Sequence, residues 1–203
     1  MGRIIVINGT SNAGKTTLCE GLERNIQNIA IIPGASLFAK IHSQKYSQIP
    51  GIPITAKEEM NNQKFFFELE IDRLIEANRL ANLGKDVFMD RGILEILSVA
   101  YSFEKIKNWK GIYANACQLY KEFNIIVDKN KISLPDEYIW LQASSEEVIR
   151  RNKIRQIERR QKLSENNWIE TNLINRQIEF FDKLLIPENK YELNFSWQNI
   201  IKK

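Results

Sequence analysis

The sequence predicts an α/β fold in which a parallel sheet carries helices on both faces. Strand-like and helix-like patterns alternate along the 203 residues, and this alternation is typical of a parallel sheet covered on both sides. The length suits one hydrophobic core, and we find no internal repeat, low-complexity tract or Gly/Ser-rich linker. We therefore predict one domain spanning residues 1–203.

The first half of the chain is predicted to form two strands and two helices. The strands cover residues 3–8 and 30–32, the first helix runs from about 14 to 25, and a long helix runs from about 55 to 83. Thr55 and Glu58 have the spacing of a capping box, which satisfies free backbone N–H groups at the start of a helix. Gly84 is the expected C-terminal stop of the long helix.

The second half continues the alternation. We predict strands at 86–90 and 138–142, helices at 93–103 and 112–123, an arginine-rich helix capped by the segment 144–147, and a final helix at 165–185. Residues 191–195 are the candidate for a further strand.

Composition excludes several classes of protein. No apolar run approaches the roughly 20 residues that cross a bilayer, and the N-terminus lacks a signal-peptide core, so we expect a cytoplasmic protein. The single histidine, His42, rules out a metal site built from several histidines. Cys19 and Cys117 lie in predicted helices, where a free thiol behaves as a small apolar group. A net charge of +4 agrees with an anionic ligand without proving one.

The segment from Gly9 to Thr16 has the spacing G-x-x-x-x-G-K-T, between a buried strand and an amphipathic helix. Backbone N–H groups of such a loop and of the following helix N-terminus point at one place and bind phosphate. Lys15 is expected to reach the β and γ phosphates of ATP, and the Thr16 hydroxyl to ligate Mg²⁺. The predicted nucleotide-binding residues are Gly9, Thr10, Ser11, Asn12, Ala13, Gly14, Lys15, Thr16 and Thr17.

Asp90 is the predicted second metal anchor. It ends the strand at 86–90, and a parallel sheet places its ligands at the carboxyl ends of its strands. The alternative is that Asp90 caps the helix that begins near Ile93. The strand position and the neighbouring Arg91 favour the metal role.

Arg151, Arg155 and Arg159 recur at i, i+4 and i+8 along one helix face. This stripe predicts a lid, at about residues 150–163, that closes over a triphosphate, because phosphoryl transfer uses arginines to neutralise the moving charge. A solvated face and a nucleic-acid patch are the alternatives. The stripe lacks the interleaved aromatic residues that single-stranded nucleic acid favours.

These features together make the chain resemble the thymidylate kinase and deoxynucleoside kinase branch of P-loop kinases. The resemblance rests on the phosphate loop and on the segments IPGAS at 32–36, FFFELEIDR at 65–73, GKDVFMDRG at 84–92, LPDEYIWLQASSEE at 134–147 and the arginine pair 151 and 155. It implies a P-loop NTPase fold of three layers, with a five-stranded parallel sheet and an Arg-rich lid.

The resemblance also implies roles for single residues. Arg73 matches an arginine that holds the acceptor's phosphate in thymidylate kinases, and Arg91 and Ser36 are placed beside it as acceptor-binding residues. Lys15, Asp90, Arg91, Arg151 and Arg155 form the implied catalytic set. Kinases of this branch are often dimers, so a homodimer is left open.

Two departures from the family pattern concern the acceptor. Ile32 stands where both kinds of kinase place a carboxylate after the second strand, and the phosphate loop contains no acid. Gly92 stands where thymidylate kinases usually carry tyrosine or histidine. A hydroxyl acceptor benefits from a positioned base by about 10²- to 10⁴-fold, whereas a phosphate acceptor is already anionic.

The sequence therefore predicts an ATP- and Mg²⁺-dependent phosphotransferase acting on a small molecule, most simply a nucleoside or nucleotide. A kinase of another hydroxyl compound is an alternative, because the opening NGTSNAGKTT also resembles chloramphenicol phosphotransferase. A nucleotide-dependent switch is a second alternative, although the chain lacks an N-K-x-D guanine motif in a suitable place. Nucleic acid as a partner is disfavoured because no recognised motif supports it.

Overall fold

The computed structural model describes residues 1–158, 171–185 and 200–202, with side chains described for 1–151, 153, 154 and 171–183. Five parallel strands form one sheet in the order β2-β3-β1-β4-β5. Their bounds are Ile4–Gly9 (β1), Ile29–Ile32 (β2), Asp86–Asp90 (β3), Glu137–Leu141 (β4) and Ile200–Lys202 (β5). The predicted parallel sheet of five strands is thereby confirmed.

The helices of the described residues lie between and after these strands. They are Lys15–Asn25 (α1), Ala35–Ile41 (α2), Ala56–Asn82 (α3), Ile93–Lys107 (α4), Ile112–Lys129 (α5), Ser145–Glu158 (α6) and Thr171–Leu185 (α7). Within these residues no helix combines the length and the apolar character that crossing a membrane requires.

Alternating side chains of β1 build a core on each face of the sheet. Ile4 and Val6 belong to the larger cluster, to which α3, α4, α5 and α7 contribute. Ile5 and Ile7 point the other way and pack with Cys19 of α1. This two-sided burial follows from the period of two in a strand and gives the three layers of the fold.

Several element boundaries differ from those predicted. The sequence reading missed α2, which begins directly after the Pro33-Gly34 break, and α4 and α5 extend to Lys107 and Lys129. The candidate strand at 191–195 lies outside the described residues, and the strand that pairs with β4 is Ile200–Lys202. Residues 165–170 of the predicted last helix and 159–163 of the predicted lid also lie outside them.

The start of α3 has the capping geometry that the sequence predicted. Thr55 Oγ1 accepts a hydrogen bond from the backbone N–H of Glu58 at 3.2 Å, and Glu58 Oε2 accepts one from the N–H of Ile54 at 2.8 Å. The Glu58 N–H is one of the donors that the helix leaves unpaired, as predicted, whereas the Glu58 carboxylate reaches the N–H of Ile54, one residue before the N-cap N–H that a capping box uses.

We predict that Thr55→Ala lowers the free energy of unfolding by about 1 kcal/mol, because the Glu58 N–H loses its acceptor. Thr55→Ser keeps the hydroxyl and is the matched control. Urea unfolding of the three proteins measures the difference. Equal stability of Thr55→Ala and the parent protein would show that the cap contributes nothing.

Candidate functional site: a phosphate loop beside a cavity

The candidate site lies at the carboxyl ends of β1 and β3. These strands are neighbours, and the connections that follow them lead towards opposite edges of the sheet. β1 is central, and the next strand along the chain, β2, lies beyond β3 at the edge. Ile7 of β1 is in register with Asp90 of β3, so the residues after both strands emerge side by side. A crevice at such a point is where open α/β sheets bind ligands.

The phosphate loop joins β1 to α1. Gly14 is the N-cap of α1 with a φ of 105°, a left-handed conformation that glycine adopts without strain. Lys15 is the first residue of the helix and is only 3% exposed. Its Nζ donates hydrogen bonds to the carbonyl oxygens of Gly9 at 2.5 Å and Thr10 at 2.7 Å. The lysine therefore lies folded against its own loop.

The ammonium group of Lys15 is costly to keep charged at this position. Burial, reinforced by the positive charge of Arg91, lowers the pKa of Lys15 to about 7. An anion bound by the loop favours the charged form and raises that pKa. The lysine is thus suited to bind a phosphate group.

Thr16 and Asp90, the two predicted metal ligands, contact each other. The Thr16 hydroxyl donates a hydrogen bond to Asp90 Oδ2 at 2.7 Å. The other carboxylate oxygen, Oδ1, is buried and has no hydrogen-bond partner among the described residues. A hydroxyl and a carboxylate are oxygen ligands of the kind that Mg²⁺ takes together with substrate phosphates. These two residues therefore fit a magnesium site.

Arg151 brings α6 to the phosphate loop. Its guanidinium donates to the backbone carbonyls of Asn12 at 3.2 Å and Ala13 at 3.1 Å, and to Glu147 Oε1 at 2.6 Å. The Arg151 side chain is 42% exposed. Of the predicted lid arginines 151, 155 and 159, Arg151 is the one whose side chain the structure describes. Arg155 also lies on α6, but its side chain is outside the described part of the chain.

Arg73 is a buried residue that borders the cavity. It is 1% exposed and pairs with Glu70 at 2.5 Å, and it donates to the backbone carbonyls of Asp90 at 2.9 Å and Arg91 at 3.0 Å. These contacts join α3 to the end of β3. Its Nε is buried and has no hydrogen-bond partner among the described residues, and its role in acceptor binding stays a prediction.

A cavity of about 330 Å³ opens beside the phosphate loop. Its volume lies in the range of small-molecule sites. α3 and α4 supply most of its walls, Ala35 and Ser36 of α2 border it, and Ser11 of the loop and Gln177 of α7 contribute one residue each. Arg91 borders it too and pairs with Glu95. The structure thus brings together Ser11, Ser36, Arg73 and Arg91 from the predicted site residues.

Sequence reasoning missed a polar group at the start of α3. Glu59 and Gln63 border the cavity and are 3% and 1% exposed. Gln63 Nε2 donates to Glu59 Oε1 at 3.1 Å, and Asn115 of α5 donates to Gln63 Oε1 at 2.8 Å. Burial raises the pKa of Glu59 to about 7, and the hydrogen bond from Gln63 opposes that rise. The signal in the sequence was two polar residues in phase with the apolar face of α3.

The two departures noted in the sequence have structural counterparts. Ile32 is 2% exposed and belongs to the larger core, so the end of β2 provides no carboxylate. Gly92 lies where a Cβ atom would stand 2.7 Å from Cγ1 of Val6, which leaves no room for a side chain. The aromatic or imidazole group usual there in thymidylate kinases does not fit this backbone.

Sheet order, phosphate loop and helix arrangement define a P-loop fold of the nucleoside and nucleotide kinase type. The chain is similar to a deoxyadenosine kinase from M. mycoides, whose structure is described with the products dCMP and a flexible dCDP. It shares 20% identity with it over 91% of this chain and 86% of that one, with a TM-score of 0.58. It is also similar to a thymidylate kinase from Candida albicans, at 14% identity over 99% and 83% of the two chains and a TM-score of 0.61.

These structural similarities confirm the predicted fold. No family model matches the sequence, and no curated protein does either. At such identities the comparisons establish the fold alone, and the activity has to be inferred from the site.

We predict that Arg73→Met lowers the free energy of unfolding by about 3 to 5 kcal/mol, because Glu70 becomes a buried charge without a partner. The double variant Glu70→Leu/Arg73→Met removes both charges and should recover a large part of that loss. Urea unfolding measures both changes. A single variant as stable as the parent would show that the pair does not hold α3 against β3.

We also predict a stability difference that depends on pH and comes from Glu59. Its pKa is about 7 in the folded protein against an ordinary value of 4.5, so the folded state holds the proton longer. The corresponding stability is present at low pH and is lost as the pH rises from about 5 to 7.

Glu59→Gln abolishes this titration. Relative to that variant, the parent protein should lose about 2 kcal/mol of stability between pH 5 and pH 8. The amides of Gln63 and Asn115 do not titrate, and the cavity carboxylates Glu70 and Glu95 are paired with arginine in both proteins. Identical pH profiles in urea unfolding would contradict the assignment.

Proposed function

We propose that the protein is a kinase that transfers the γ-phosphoryl group of MgATP to a nucleoside or nucleotide. The observation that carries the proposal is that Thr16 of the phosphate loop contacts Asp90, while Arg91, the next residue, and Ser11 of the same loop border the cavity. A phosphate-binding loop, a metal-binding pair and an open cavity for the acceptor then lie next to one another. Such an arrangement suits phosphoryl transfer, in which positioning and charge neutralisation do most of the work.

In the proposed mechanism the triphosphate binds along the loop from Gly9 to Thr17, and Lys15 exchanges its two carbonyl partners for phosphate oxygens. Thr16 and Asp90 would hold Mg²⁺, which would neutralise negative charge on the triphosphate. Arg151 already contacts the loop carbonyls of Asn12 and Ala13 and is close enough to follow the phosphates. Arg155 is proposed to act from the same helix.

The acceptor is proposed to bind in the cavity between α3 and α4, with its reacting oxygen towards Asp90 and Arg91. Arg91 and Ser36 orient that end. Arg73 donates hydrogen bonds to the backbone carbonyls of Asp90 and Arg91 and so fixes the position of both residues. The one-domain organisation, the homodimer and the cytoplasmic location inferred from sequence stay predictions.

A screen for ATP consumption tests the proposal. Its panel contains nucleosides, nucleoside monophosphates, phenicol-like and aminoglycoside-like hydroxyl compounds, and oligonucleotides with a 5′-hydroxyl. We expect turnover with a nucleoside or a nucleoside monophosphate. Tight ATP binding without turnover for any acceptor would instead indicate a nucleotide-dependent switch, and turnover confined to another class would identify a different kinase.

We predict that Lys15→Ala lowers turnover by at least about 10²- to 10³-fold, because the phosphates lose a charged donor that acts in the transition state. Lys40→Ala, at an exposed position on α2, is the control and should retain the parent rate. Steady-state kinetics with the best acceptor from the screen measures both. Retained activity in Lys15→Ala would remove the phosphate loop from the mechanism.

A further inference from the structure

The arginines that border the cavity are each paired with a carboxylate. Arg73 pairs with Glu70, and Arg91 pairs with Glu95. Glu59 adds a further carboxyl group to the lining. The charged residues of the lining are thus two arginines and three acids among the described residues. The cavity therefore has no excess of positive charge, even when Glu59 is protonated.

This balance of charge bears on the kind of acceptor that the cavity holds. The phosphate group of a nucleoside monophosphate carries a charge of about −1.5 to −2 at neutral pH. Inside the cavity it would either displace a carboxylate from its arginine or lie beside that carboxylate, and like charges repel one another there. A neutral acceptor leaves both ion pairs intact. The charges therefore favour an acceptor that reacts through an uncharged hydroxyl group.

A hydroxyl acceptor benefits from a group that takes its proton as the new bond forms. In the kinases that this chain resembles, a carboxylate after the second strand stands in that place. Ile32 occupies the position here and is buried in the larger core. A base in this protein has to come from another part of the site, and the acids that line the cavity are the candidates.

Two of these acids are poorly placed to act on the reacting hydroxyl. Glu59 and Arg73 are 14 positions apart on α3. At 1.5 Å per residue this separation is about 21 Å along the helix axis, which is further than a nucleoside extends. Arg73 is the one that reaches the carbonyls of Asp90 and Arg91. Glu70 is 5% exposed, and its charge is needed beside Arg73, which joins α3 to β3.

Glu95 has the position that the other two lack. It lies in the first turn of α4, directly after the end of β3, and its Oε1 accepts a hydrogen bond from Arg91. Its Oε2 is buried and has no hydrogen-bond partner among the described residues. Burial and the charge of Arg91 lower the pKa of Lys15, whereas the charge of Glu95 raises it. The carboxylate therefore lies near the phosphate loop, with one oxygen held and the other able to accept a proton.

We propose that the acceptor is a neutral molecule that reacts through a hydroxyl group, and that Glu95 is the general base that takes the hydroxyl proton. The proposal rests on the kinase function inferred above, and under that function the acceptor is a nucleoside. The hydroxyl oxygen forms a bond to the γ-phosphorus of ATP while the bond from that phosphorus to the β,γ-bridging oxygen breaks. The proton passes to Glu95 Oε2 and later to solvent. ADP and a phosphate monoester are the products.

The first test compares nucleosides with their own 5′-monophosphates as acceptors of the parent protein. We expect kcat/KM for the best nucleoside to exceed that for its monophosphate by more than about 10-fold, because the phosphate meets carboxylates in the cavity. A smaller ratio, or a preference for the monophosphate, overturns the neutral acceptor and leaves the kinase function in place. Turnover confined to another neutral hydroxyl compound supports the neutral acceptor and contradicts the nucleoside. A protein that consumes no ATP with any acceptor contradicts both.

The second test concerns Glu95 and uses the best neutral acceptor. Glu95→Gln should lower kcat by about 10²- to 10⁴-fold, because an amide does not take the proton, whereas the KM values for acceptor and ATP should change little. Glu20→Gln is the matched control, since Glu20 forms an exposed i,i+4 pair with Arg24. It should keep the kcat of the parent. An unchanged kcat in Glu95→Gln overturns the role of Glu95.

Glu95→Ala separates a general base from a residue that only holds Arg91. The shorter side chain leaves space for a small carboxylate, so added formate or acetate should restore part of kcat. Acetate is the stronger base and should restore more than formate, because the efficiency of a general base follows its basicity. A variant that neither anion rescues, or that both rescue equally, overturns proton transfer to Glu95. If Glu95→Ala does not fold, the kcat of Glu95→Gln, which keeps the volume of the side chain, decides the question.

Discussion

The contacts of Arg73 join α3, which forms one wall of the cavity, to the end of β3. This residue comes from α3, and its guanidinium reaches Glu70 on the same helix and the carbonyls of Asp90 and Arg91 at the end of β3. Asp90 in turn accepts the hydroxyl of Thr16 at the start of α1. Three side chains thus connect α3, β3 and the phosphate loop. Arg73 is buried together with its partner Glu70, so loss of the arginine leaves Glu70 as a buried charge without a partner.

The phosphate end of the site could be predicted from the sequence because phosphate chemistry restricts both residue type and spacing. A lysine, a hydroxyl and glycines at fixed offsets after a buried strand leave few alternatives. Asp90 followed from its position at a strand end, and the structure places it against Thr16. The bounds of α3 were predictable for a similar reason, since Thr55 and Glu58 use local contacts that do not depend on the rest of the fold.

The acceptor end was harder to predict because burial depends on what packs against a helix. Glu59, Gln63 and Glu70 lie in phase with Phe67 and Leu74, on the buried face of α3. A polar residue on such a face either reaches solvent, pairs inside the core or borders a cavity, and periodicity does not separate these cases. Arg73 shows the same difficulty: the resemblance suggested an acceptor ligand, and the structure gives it protein partners that only the packed sheet provides.

The distribution of charge in the cavity explains why a shared fold leaves the acceptor undetermined. Near the phosphate loop, Lys15, Arg91 and Arg151 supply positive charge, and any phosphoryl-transfer enzyme of this architecture needs such a group there. At the far end, the transferred phosphate imposes no requirement on residue type, so α3 is free to vary. Glu59 places a buried carboxyl group at that end in this protein. Burial raises its pKa to about 7, so its charge changes near neutral pH. The positive charge beside the phosphate loop therefore follows from the architecture, whereas the carboxyl group at the start of α3 is particular to this chain.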